Sequence, residues 1–155
     1  MIDTPQPART DEQLTAVIHL AVQRDEISQV MDAAIAEVMS ALAHQGVAPA
    51  GPCFSYHLRR PTDSFDFEVG FPVGTAIAPI GRVRMSKLPA AQVVRTVYRG
   101  AYEGLGAAWG EFGAWIDTEG LKVQDRFWES YALGPESSPD PNQWCTELNR
   151  LLLES

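Results

Sequence analysis

Apolar and polar positions follow two different periods along this chain. Residues 14–22 are rich in β-branched side chains, which predicts a strand. The series Ile27, Val30, Met31, Ala34, Ile35, Val38, Met39 and Leu42 then steps by three and four, the spacing of one helix face. Asp25 is placed to cap the start of this helix and Gly46 to end it. Residues 53–58 and 65–71 alternate, with Phe65, Phe67, Val69 and Phe71 on one face. Pro61-Thr62-Asp63 between them predicts a hairpin. Residues 74–81 read as a linker, followed by 83–88, a turn at Pro89, and the β-rich segment 92–98. Leu105, Ala108, Trp109, Phe112 and Ile116 restore the helical period, and Gly120 closes it. Residues 127–133 and 144–152 supply two last strands, separated by a loop containing Pro and Ser. The polar residues 1–12 read as a flexible tail, leaving 13–155 as one domain.

The order is therefore β-α-β-β, linker, β-α-β-β. Gly46 and Gly120 lie 74 residues apart (120 − 46), as do Phe54 and Trp128 (128 − 54). These matched spacings suggest a duplication, with pseudo-repeats at residues 13–73 and 83–153. The expected fold is α+β: two β-α-β-β units forming one antiparallel sheet, with two helices on one face. The space between two helices over a sheet is a natural central ligand cleft.

Composition narrows the function. Of 155 residues, 45% are hydrophobic and 21% charged, an ordinary globular balance. Twenty acidic residues against twelve basic ones leave a net charge of −8, which argues against direct contact with nucleic acid and favours cations. No apolar run spans a bilayer and no signal peptide opens the chain, so a cytoplasmic location without membrane contact is expected. Cys53 and Cys145 are far apart and are expected to be free and buried. His19, His44 and His57 lack ligand spacing, and no phosphate loop is present, so neither metal nor cofactor is expected.

Glu129 is the most informative residue. It lies between Trp128 and Tyr131 in an otherwise apolar strand. It is either an exposed position of an alternating strand or a carboxylate in an aromatic cavity. In the second case a cationic ligand would stabilise it. Tyr98, Tyr102, Trp109, Phe112, Tyr56, Phe67, Tyr131 and Trp128 are the candidate walls, although most aromatics of this chain serve as core. Alternation puts Phe127, Glu129 and Tyr131 on one strand face and Trp128 on the other, so Tyr131 ranks above Trp128. Glu68 and Glu147 occupy matching places in the two halves, as inward carboxylates or as edge-strand charges.

The run Val97-Tyr98-Arg99-Gly100-Ala101-Tyr102-Glu103-Gly104-Leu105, then Trp109, Trp115-Ile116 and Gly120, resembles the gyrase-inhibitor-like (GyrI-like) effector-binding family. So does the run from Trp128-Glu129 to Gly134-Pro135, with Asp140-Pro141 and Thr146-Glu147-Leu148 after it. The likeness extends from about Leu14 onward. It departs at Asn149-Arg150-Leu151-Leu152, which lacks a proline that Phe71-Pro72-Val73 keeps in the first half.

The resemblance implies a duplicated β-α-β-β fold and a cleft in which Glu129 helps bind cationic or amphiphilic aromatic compounds. Many members of that family carry the domain behind a DNA-binding helix-turn-helix. With about a dozen residues before the first predicted strand and an acidic charge, a stand-alone member that binds such a small molecule is expected here, with a homodimer compatible. Two alternatives stand beside this. One is a hydrolase that opens cyclopropane-bearing genotoxic natural products, with Glu129 as its catalytic residue. The other is a protein-interaction or inhibitor module.

Overall fold

A computed structural model describes residues 2–59, 61–134 and 137–153. Pro135, part of one motif quoted above, lies outside the described residues. The described residues form eight strands and two α-helices. In chain order these are β1 (Gln6–Thr10), β2 (Gln13–Gln23), α1 (Ile27–His44), β3 (Phe54–His57), β4 (Ser64–Pro72) and β5 (Arg84–Leu88). They continue as β6 (Ala91–Arg99), α2 (Leu105–Thr118), β7 (Val123–Leu133) and β8 (Cys145–Leu152). The fold is α+β, as expected. The chain divides into a contiguous unit, Asp11–Ala90, and a split unit made of the residues up to Thr10 and from Ala91 onward.

The contiguous unit orders its strands β3-β4-β2-β5, all antiparallel. Phe67, Val69 and Phe71 of β4 and Ile18 and Leu20 of β2 share a core with Ala34, Val38, Ala41 and Leu42 of α1. The period-2 and period-3.6 patterns thus meet on one buried surface. Gly46 follows the last turn of α1 with φ 69°, the left-handed conformation that ends a helix. Asp25 does not cap α1. Residues Arg24–Glu26 form a 3-10 turn first, pinned by Arg24, whose backbone N–H donates to Asp63 and whose guanidinium donates to Thr62.

The split unit repeats this plan, with order β1-β6-β8-β7, again antiparallel. Ala108, Phe112 and Ile116 of α2 pack on Val94, Tyr98 and Leu148. Burying a side chain such as Phe112, which is fully enclosed, contributes about 2–3 kcal/mol.

The expected flexible tail is instead strand β1, paired with β6 from Gln6↔Arg95 to Thr10↔Ala91. Backbone pairing, not apolar burial, holds it. The Asp3 N–H donates to Val97, and the Thr96 hydroxyl donates to the Asp3 carbonyl at 2.6 Å. An edge strand also tolerates Pro7, which has no N–H to give. Segment 84–88 likewise becomes β5, the neighbour of β2, and β7 begins at Val123, earlier than the pattern suggested. Cys53 and Cys145 are only half-buried, not enclosed as expected. No helix of the described residues is long and apolar enough to cross a membrane.

Candidate functional site

Glu129 lies on the face of β7 that α2 covers. Its cross-strand partner is Leu148, a core residue beneath α2. Alternation carries Phe127 and Tyr131 to the same face. Glu129 is only 9% exposed. Its Oε2 accepts a hydrogen bond from the Trp109 indole N–H at 2.6 Å, and its Oε1 accepts one from the Tyr131 hydroxyl at 2.9 Å. Removing a carboxylate from water costs several kcal/mol unless hydrogen bonds compensate, and these two donors supply compensation.

Aromatic rings extend from this group in two directions. Tyr131 meets Tyr102 edge-on at 5.7 Å, and Tyr102 lies against Trp144 at 4.9 Å. On the other side Trp109 packs on Phe127 at 4.6 Å and on Phe112 at 5.6 Å. Tyr102, Trp109, Tyr131 and Trp144 are half-buried, whereas Phe112 and Phe127 are buried. A ring left partly open to solvent beside a carboxylate can stack on an organic cation, and the buried rings hold the open ones in place.

The structure thus gathers Glu129, Tyr131, Tyr102, Trp109 and Phe112 from the predicted set. Tyr98 is buried under α2, and its hydroxyl donates to the Ala101 carbonyl at 2.7 Å. Trp128 is 3% exposed and lies on the face of β7 opposite Glu129. Tyr56 and Phe67 belong to the contiguous unit. Tyr56 is buried on β3, and Phe67 is fully buried and stacks on His57 at 4.9 Å. Phe127 and Trp144 join the band without having been predicted as walls. Shared parity with Glu129 signals Phe127. Trp144 stands just before β8, held by its indole N–H on the Ser138 carbonyl and by the Gly100 N–H on its own carbonyl, and no local pattern reveals it.

Among the described residues, the contiguous unit repeats the strand rows around Glu129 without its side chains. The row Glu129–Leu148–Thr96 crosses β7, β8 and β6 as Ser55–Val69–Ile18 crosses β3, β4 and β2. Ser55 therefore stands where Glu129 stands, and His57 where Tyr131 stands.

Glu68 and Glu147 are not edge charges, since β4 and β8 each have a neighbour on both sides within their own unit. Glu68 is buried and accepts from the Ser86 hydroxyl at 2.7 Å and from Arg84 at 3.3 Å. Glu147 accepts from Asn149 at 3.1 Å and lies 3.4 Å from Arg95.

Known proteins share this architecture. The chain superposes on EcmrR in its DNA complex with TM-score 0.86 and 18% identity, covering 98% of this chain and 58% of that one. It therefore spans little more than half of EcmrR. Against the EcmrR C-terminal domain alone the TM-score is 0.85 at 17% identity, with 98% of each chain covered. SAV2435 bound to tetraphenylphosphonium superposes with TM-score 0.74 and 12% identity, covering 97% of this chain and 94% of that one. A search of curated proteins finds no match. The model of the GyrI-like small molecule binding domain matches residues 10–148, which takes in the contiguous unit, most of the split unit, the buried carboxylate and every ring of the band. The chain belongs to the GyrI-like small molecule binding domain family.

Proposed function

We propose that the aromatic band around Glu129 binds a hydrophobic organic cation. One observation carries this reading: a buried carboxylate that accepts hydrogen bonds from Trp109 and Tyr131, with half-buried rings on both sides. The carboxylate supplies charge, and the rings supply apolar area and cation–π attraction. Membership of a small-molecule binding family supports it, as does the tetraphenylphosphonium in the SAV2435 structure.

The test is titration with tetraphenylphosphonium by calorimetry, using wild type and Glu129→Gln. Glutamine keeps the size and an acceptor oxygen, so the change removes mainly charge. The variant is expected to bind at least about tenfold more weakly, equivalent to about 1.4 kcal/mol. Equal affinity in the two proteins would remove Glu129 from the site.

A second reading is hydrolytic opening of a strained carbocycle, favoured by the Tyr131 hydroxyl on Glu129 at 2.9 Å. Glu129 would take a proton from water, the water oxygen would bond to a ring carbon, and the ring C–C bond would break. The other carbon would then be protonated. Product with the mass of one added water supports this reading, and intact ligand recovered after incubation argues for binding alone.

A further inference from the structure

We infer that Tyr98 is a positioning residue, which sets the ligand wall formed by Tyr102 and Trp144 without itself being part of that wall. This rests on the reading of the Glu129 band as a ligand site.

The Tyr98 ring is 7% exposed and lies in the core under α2, so little of it is open to a ligand. Its hydroxyl donates to the Ala101 carbonyl at 2.7 Å. The same carbonyl accepts the Gly104 N–H at 3.1 Å, closing the 3-10 turn Tyr102–Gly104 that leads into α2. The phenol therefore props the turn from below at the carbonyl that defines it.

Two glycines flank this contact. A Cβ at Gly104 would lie 2.0 Å from the Tyr98 hydroxyl oxygen and 2.9 Å from its ring carbon Cζ. One at Gly100 would lie 3.0 Å from the same oxygen. At Gly104 only a hydrogen atom fits against the phenol, and at Gly100 a side chain would press on it.

What the turn carries gives the contact its consequence. Tyr102 sits between Ala101 and Gly104, and its ring touches both Tyr131 and Trp144. Gly100 donates its N–H to the Trp144 carbonyl at 3.0 Å. Both outer rings of the band are thus fixed through residues 100–104, and the Tyr98 hydroxyl holds that segment. The hydroxyl acts on the ligand through the turn, at one remove.

The experiment compares wild type, Tyr98→Phe and Gly104→Ala in tetraphenylphosphonium binding, thermal melting and amide hydrogen exchange. Phenylalanine keeps the packed ring and removes only the hydrogen bond. Tyr98→Phe is expected to bind the probe about threefold to tenfold more weakly, the worth of one lost hydrogen bond. The Gly104 amide should exchange about tenfold faster, with the melting temperature falling by only about 2–4 °C. Gly104→Ala forces the phenol off the turn and should weaken the probe further in the same direction.

Affinity and Gly104 exchange both unchanged in Tyr98→Phe would overturn the inference. So would a uniform rise in exchange across the split unit that matches the lost stability, since that marks a purely structural residue. If wild type itself does not bind the probe, the ligand reading fails, and exchange at Gly104 still decides whether Tyr98 holds the turn.

Discussion

Gly70→Ala is expected to lower the unfolding free energy by about 3 kcal/mol or more. A Cβ at Gly70 would lie 1.9 Å from the Ala16 carbonyl oxygen and 2.9 Å from the Val17 Cα. Both atoms are backbone of β2, the strand paired with β4 at Val17↔Gly70. No flexible side chain can swing aside. On its other edge Gly70 is paired with Phe54 of β3, so β4 cannot shift without disturbing a second ladder. A glycine inside a strand often marks such a close approach of backbone. For a chain this size the loss corresponds to a fall in melting temperature of about 6–12 °C. A variant melting within 2 °C of wild type, roughly the effect of a single kcal/mol, would show that β2 can yield there.

The second large effect concerns acid. His57 is 5% exposed, stacks on Phe67 and meets Phe65 edge-on at 5.8 Å. Burial pushes its pKa down from the ordinary 6.5 to about 4. The folded ring therefore stays neutral in a range where the unfolded ring takes up a proton. Well above pH 6.5 neither state is protonated at His57 and the residue has no effect. As pH falls from 6.5 toward 4 the unfolded state binds more protons, so stability drops through that window. Between pH 7.5 and pH 5 the loss is about 2 kcal/mol. Denaturant midpoints at the two pH values, for wild type and His57→Phe, check this. The variant should lose about 2 kcal/mol less than wild type over the same interval. Equal losses in both proteins would assign the acid sensitivity to other groups.

How much of this was legible in the sequence depends on the range over which each feature is specified. The face of α1 was plain because its period is local, and Gly46 and Gly120 mark helix ends by their own conformation. Glu129 stood out because a carboxylate contradicts its apolar strand. Parity alone placed Phe127, Glu129 and Tyr131 together. Features set by distant partners were hidden. Nothing in Gln6–Thr10 predicts a strand, because its pairing is supplied by β6 more than eighty residues later (91 − 10 = 81). The Trp109 indole lies twenty residues from the carboxylate it serves, and only the packing of α2 on β7 joins them. Tyr98 had the chemistry of a wall residue, and its hydroxyl is instead committed to Ala101.

The membership of β1 in the split unit bears on the order in which the protein is made. Gln6–Thr10 leaves the ribosome well before its partner Ala91–Arg99, which is not synthesised until about eighty residues later. At about 5–20 residues per second, that is a wait of roughly 4–16 seconds. The contiguous unit is fully translated at Ala90, before any of β6 is made, and is free to form first. The split unit cannot form then, because its other strands and its helix have still to be translated. The nascent chain thus holds a short, polar, proline-containing strand in reserve, a composition that resists aggregation during the delay. Moving that strand to follow β8 by circular permutation would make the split unit continuous and remove the delay.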